Sequence, residues 1–148
     1  VLISSCLGIS VHVRVSGKLT CTERFNFGVY LEEDDYPIVH DEIARISWQT
    51  SNAAVQKYVI EGDAKDVFLE REVEPYIMIW HNCGGGRTRC LCKMWRGITE
   101  DVDFKVDVNL NRDATMCEKC EGYNIMFAKD YEEKTRQMAS LNPLTIRD

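Results

Sequence analysis

Seven cysteines and three histidines hold most of the reactive side chains of this sequence, and they are unevenly spread. His81, Cys83, Cys90 and Cys92 fall in one short stretch, and Cys117-Glu-Lys-Cys120 follows downstream. Three chemistries use such a set. Thiolates and imidazole are soft ligands for zinc, and these residues could supply the four that a tetrahedral site needs. A histidine two residues before a cysteine on one strand points the same way, so His81 and Cys83 could form a base–nucleophile pair, as in a hydrolase. Paired cysteines could instead close disulfides, which is the reading the numbers favour. Cys90 and Cys92 would share one face of a strand, offset along it, so each needs a partner other than its neighbour. Cys117 and Cys120 are placed to be those partners, or one of them could reach Cys21. No third group that would orient His81 is identifiable, and a structural histidine at a strand's end is the plainer role. The Cys117–Cys120 spacing lacks the βαβ surroundings of a redox site.

The elements that carry these residues are legible from period-two alternation. Val11, Val13, Val15, Leu19 and Cys21 alternate with His12, Arg14, Ser16 and Lys18, and Gly17 on the inward parity marks a bulge or close contact. Phe25, Phe27, Val29 and Leu31 form a second strand running into Glu32-Glu33-Asp34-Asp35, expected as a solvated turn. That cluster lacks the ligand spacing and turn glycine of a calcium loop. Asp41 to Thr50 fits either a helical turn or a short strand through Ile46 and Trp48. Val55 to Glu61 reads as a short strand closed by Gly62-Asp63, and Asp66 to Glu74 as an exposed loop or edge.

The stretch from Glu74 to Gly97 organises the rest. Pro75 opens a strand that is apolar at every position from Tyr76 to Trp80, and Gly84-Gly85-Gly86 loosens a long connection back through Cys90-Leu91-Cys92. Tyr76, Met78 and Trp80 share one face while Ile77 and Ile79 share the other. A two-layer domain buries only one of these against its second sheet, so the other needs a cover: the chain's own tail, a second subunit or a ligand. Val102 to Leu110 alternates most cleanly of all and is expected as one half-buried strand. Beyond Cys120, Met126, Phe127, Tyr131 and Met138 give a weak helical pattern. Short strands between polar turns, with no βαβ rhythm, imply an all-β fold of two packed sheets with a short C-terminal extension, helical in part.

The chain of 148 residues is one domain's worth and can bury a core. Its 24 acidic against 18 basic residues, a formal charge of -6, argue against nucleic acid, whose phosphates require a basic patch. Arg87, Arg89, Lys93 and Arg96 cluster as a candidate local anion site, the plainer reading being a solvated strand pair. The candidate binding residues are therefore Tyr76, Met78 and Trp80 on the apolar strand with Arg87 and Arg89 beyond it. His12 and His40 read as surface residues without acid–base companions. No cofactor is expected, since Gly84-Gly85-Gly86 lacks the lysine and hydroxyl of a phosphate loop. Residues 1–10, VLISSCLGIS, are apolar and end in small residues, like the tail of a secretory signal, the alternative being a first β-strand. Without Cys6, six cysteines would remain, an even number suited to an exported, oxidised domain. The expected division is signal remnant 1–10, β-sandwich 11–122 and extension 123–148. No segment is a transmembrane span.

The segments Val13-Arg-Val-Ser-Gly-Lys-Leu-Thr-Cys21, Thr50-Ser-Asn52, Pro75-Tyr-Ile-Met-Ile-Trp-His-Asn-Cys83 and Arg89-Cys90-Leu-Cys92-Lys93 resemble the nematode transthyretin-like family. The resemblance spans Val11 to Cys120 and is most specific in the first and third segments. It implies a secreted β-sandwich of the transthyretin type that binds or bridges at an extracellular cell surface, protein or lipid rather than catalysing a reaction. It also suggests small hydrophobic ligand transport by analogy with transthyretin itself. The purine-hydrolysing relatives end in Tyr-Arg-Gly-Ser, whereas this chain ends Leu144-Thr-Ile-Arg-Asp148. The family pattern maps onto Cys21, Cys83, Cys90 and one late cysteine, Cys117 or Cys120. Cys92 and the other late cysteine are then an added pair.

Overall fold

Alternation does set the strands, but they run longer than their apolar cores. The computed structural model describes residues 8–35, 39–66, 72–113, 120 and 132–138. Strand β1 (Ile9–Thr20) buries Val11, Val13, Val15 and Leu19 and lies antiparallel to β4 (Val55–Asp66) along its whole length. On its other side β1 pairs in parallel with β7 (Val102–Lys105) and β8 (Val108–Asn109). The second sheet has the order β3-β2-β5-β6, all antiparallel, built from β2 (Phe25–Asp35), β3 (Val39–Ser51), β5 (Pro75–His81) and β6 (Arg89–Met94). Two four-stranded sheets and a short helix, α1 (132–138), make an all-β sandwich with a helical C-terminal element. Between the sheets lies one core, with Val13, Val15 and Leu19 against Phe25, Phe27, Val29, Leu31, Ile77 and Ile79.

Several expectations change in the folded chain. Glu32 to Asp35 is no solvated turn but the end of β2, with Glu32 and Glu33 only 8% and 1% exposed. The Tyr76 hydroxyl donates to Glu32 Oε2 at 2.5 Å, which supplies in the interior the partner that water would have given. Asp41 to Thr50 is strand throughout, within β3. Strand β4 does not close at Gly62-Asp63 but passes straight through them. A Cβ at Gly62 would sit 2.7 Å from Ile43 Cγ2 and 2.8 Å from Ile43 O, so that glycine admits the close approach of β3. Of Asp66 to Glu74, residues 67–71 lie outside the described residues, while Val73 is fully buried in a bridge to Ile98.

The alternation from Val102 to Leu110 survives, yet the segment is two strands. Its ladder breaks at Val106-Asp107, opposite Gly17. There a Cβ on residue 17 would lie 1.9 Å from the Val106 carbonyl oxygen, and the Tyr58 hydroxyl donates to that same oxygen at 2.8 Å. Gly17 is thus the close contact its inward parity suggested. In the expected hairpin between β5 and β6, Gly84, Gly85 and Gly86 all take positive φ, at 85°, 76° and 81°. Side chains rarely adopt that region, which explains three glycines in a row. Strand β1 begins inside residues 1–10, at Ile9, which pairs with Asp66.

Candidate functional site

The cysteine–histidine stretch is structural. Cys21, at the end of β1, bonds Cys83, just past β5, with Cα atoms 6.0 Å apart, and so ties one sheet to the other. Cys90 bonds Cys120 with Cα atoms 5.8 Å apart, fastening β6 to the chain beyond the sandwich. Cys92 is also disulfide-bonded, to a partner outside the described residues, and Cys117 lies outside them too. Cys21 therefore pairs with Cys83 and not with a late cysteine. Cys90 and Cys92 share one sheet face and take separate partners, as their offset requires. These bonds remove the thiol on which a Cys83 nucleophile depends. His81 is buried, its Nδ1 accepts the Cys83 backbone N–H at 3.1 Å, and burial, helped by the Arg89 charge, pulls its pKa down to about 4. It is a neutral acceptor at a strand end. Among the described residues no group of three or more His, Cys, Asp or Glu side chains is arranged to hold a metal.

The candidate binding residues are not brought together. Tyr76, Met78 and Trp80 are 0%, 2% and 0% exposed, in a second apolar cluster with Tyr30, Cys90, Cys92 and Cys120 on the outer face of the sheet. Among the described residues, Cys120 packs within this cluster and α1 lies beside it, against Trp48 and Asn26. Trp48 Nε1 donates to Thr135 Oγ1 at 2.9 Å, and Asn26 Nδ2 approaches Met138 Sδ at 4.0 Å. Thr135 and Met138 lie three apart, on one side of the helix. Arg89 sits on the opposite face of β6 from Cys90 and donates through Nη2 to the Cys83 carbonyl. Arg87 is exposed in the glycine connection, and Arg96 pairs with Glu74 at 3.9 Å. A ligand would not touch this set as one surface, because alternation sends Arg89 to the opposite side of the sheet from the apolar members and Arg87 lies in the connection beyond them.

The structure contains instead a cleft between the sheets. Where β6 edges one sheet and β7–β8 edges the other, Ile77, Ile79, Leu91, Val106 and Val108 wall a space of about 420 Å³. Lys93, Asp107 and Asp113 stand at its rim. Beside it Trp95 and Phe104 stack at 4.2 Å with rings parallel to within 1°, and close the edge of the sandwich there. The cleft follows from two local features. Strand β6 ends after six residues, and the ladder of β1 with β7 and β8 breaks at Val106. A volume of this size suits a small ligand, and apolar walls with a few charged groups at the mouth are the usual composition of such sites. Sequence reasoning missed it because each wall residue reads singly as core. The only hint was Lys93, a charge at an inward position of its strand.

A second constellation was also missed. His12, read as a lone surface histidine, has Nδ1 2.8 Å from Asp63 Oδ1 and Nε2 2.8 Å from Glu61 Oε1, and its backbone N–H donates to Asp101 Oδ1 at 2.8 Å. Hydrogen bonds to Asp63 and then Glu61 raise its pKa. Arg14 joins the same network through Glu61 at 3.6 Å and Asp103 at 3.2 Å. His40 has no described side chain. The fold and its bonded cysteines define a disulfide-stapled two-sheet β domain. The chain matches no family model, no curated protein and no solved structure. Among the described residues no helix is long and apolar enough to cross a membrane.

Proposed function

We propose that this protein is an exported binding domain that works without catalysis and holds a small apolar molecule in the cleft between its sheets. The observation that carries the reading is the cleft itself, with five aliphatic walls and Lys93, Asp107 and Asp113 at the mouth. A ligand with an apolar body and a polar end that meets both an ammonium and two carboxylates fits that distribution. Export is supported by the oxidised cysteines, since disulfides persist outside reducing compartments. Kinship with the nematode transthyretin-like proteins is supported by the meeting of its two most specific segments, one ending in Cys21 and the other in Cys83, which are bonded to each other. The burial of Tyr76, Met78 and Trp80 favours a small ligand over the broad protein or lipid surface that those residues would have offered.

The test uses N-phenyl-1-naphthylamine, a neutral apolar fluorophore, with the oxidised full chain. The expectation is saturable binding by one molecule per chain, abolished by Val108→Trp, which fills the cleft from a half-buried position. Circular dichroism and the melting temperature of the variant show whether the fold is kept. Unchanged probe binding in a folded Val108→Trp protein would refute the cleft as the site.

A further inference from the structure

We infer that the outer face of the β4-β1-β7-β8 sheet carries an anion-binding site, built by Lys18, Lys57 and Lys105 around Ser16 and Val59, for a small molecule bearing a tetrahedral oxyanion ester such as a phosphate or sulfate monoester. Register places these residues together. Lys18 lies directly opposite Lys57, and Ser16 is flanked by Val59 on β4 and Lys105 on β7. Strand spacing and rise put the Lys18 and Lys57 Cα atoms roughly 5 Å apart and those of Lys57 and Lys105 roughly 12 Å apart. Three ammonium groups on long stems can converge over Ser16 from that distance. They border a shallow dish of about 300 Å³, also lined by Arg14.

Charge is what sets this end of the face apart. At the other end His12 and Arg14 are matched by Glu61, Asp63 and Asp103. Among the described residues, none of the three lysines has a carboxylate within ion-pair distance, in a chain where acids outnumber bases 24 to 18. Asp107, beyond Lys105 on the same segment, is turned to the Lys18 backbone N–H, whose hydrogen bond its Oδ1 accepts at 2.9 Å. Like charges directly opposite each other on neighbouring strands destabilise a sheet, so the Lys18–Lys57 pair works against the fold. An oxyanion would relieve that repulsion. The Ser16 hydroxyl can donate a further hydrogen bond, and Val59, 47% exposed, offers an apolar surface to the ester group. The volume of the dish, about 300 Å³, is that of a small-molecule site.

Phenyl phosphate, phenyl sulfate and neutral phenol are titrated against the isotope-labelled full chain and followed by amide NMR. Phenyl phosphate should give saturable shifts at Ser16, Lys18, Lys57, Val59 and Lys105, and phenol none. Lys18→Gln and Lys57→Gln should each weaken binding about tenfold, the loss of one charge-assisted hydrogen bond. Lys65→Gln, on the same face but remote from the dish, should change nothing. Both active variants should melt at the same temperature as the parent or higher, since the opposed charges are gone; a merely structural lysine would lower it. Matching affinity for phenyl sulfate would define the ligand by its tetrahedral charge, and a clear preference by phosphate itself. Val108→Trp should leave phenyl phosphate binding intact, which separates this site from the cleft. Non-saturable or scattered shifts, equal weakening by Lys65→Gln, or retention on phosphatidylglycerol vesicles without phenyl phosphate binding would overturn the proposal.

Discussion

Replacing Cys21 and Cys83 together with alanine tests how much of this domain's stability rests on the covalent tie between its sheets. The bond spans 62 residues of sequence, and the chain-entropy relation for a loop of that length gives a constraint of about 4 kcal/mol at 25 °C. Both side chains are 0% exposed, so truncation also removes packed sulfur, a further loss of order 1 kcal/mol. Against a total of about 5–15 kcal/mol for a natural domain, a loss near 5 kcal/mol leaves a marginal fold. The assay is urea unfolding of parent and double variant, followed by tryptophan fluorescence in non-reducing buffer. The midpoint should fall steeply, and the slope with denaturant should rise, because an unfolded chain freed of its cross-link exposes more surface. Chelator should alter neither curve. A loss below about 2 kcal/mol with an unchanged slope would refute the reasoning, since the entropic constraint would then be absent or cancelled by strain. Chelator-induced unfolding with stoichiometric zinc would overturn the disulfide account altogether.

Tyr76→Phe should cost about 1–3 kcal/mol in the same unfolding assay, because it strips the hydroxyl from a buried Glu32; a neutral effect would mean that Glu32 finds another partner. Gly17→Ala should destabilise by about 1–3 kcal/mol or more through its clash with the Val106 carbonyl, and the shift should appear as a lowered melting temperature. His81 is held neutral when folded, with a pKa near 4 against 6.5 when unfolded, so its contribution is complete above pH 6.5 and is lost as pH falls toward 4. The full swing is of order 3 kcal/mol, and it should vanish from the pH dependence of stability in His81→Gln. A chain ending at residue 122 should expose Trp48 and the Tyr76–Met78–Trp80 face and self-associate, which light scattering would detect; a truncated chain that stayed monomeric and equally stable would show that α1 is not an essential cover.

Local pattern carried the strands because a strand's side chains alternate whatever its neighbours are. Val11 to Leu19, Phe25 to Leu31 and Val102 to Leu110 could be read for inward and outward faces without knowing any partner. The shared face of Cys90 and Cys92, and their need for separate partners, came from the same rule. So did the two-faced apolarity of Tyr76 to Trp80, which required a cover, although not which segment would supply it.

Pairing between distant strands decided the rest, and no single segment contains that information. Glu32 and Glu33 look like a turn until β2 is set beside β5 and Tyr76 meets the carboxylate. His12 looks solitary until β4 brings Glu61 and Asp63 alongside β1. Lys18, Lys57 and Lys105 stand far apart in the chain, and only an antiparallel neighbour on one side and a parallel one on the other make them a cluster. The choice of Cys83 for Cys21 follows from how the two sheets stack. The cleft between β6 and β7–β8 exists because two edges stop short of each other, and an edge is a property of the assembled sheet. Alternation fixes where a side chain points, whereas long-range register fixes what it meets.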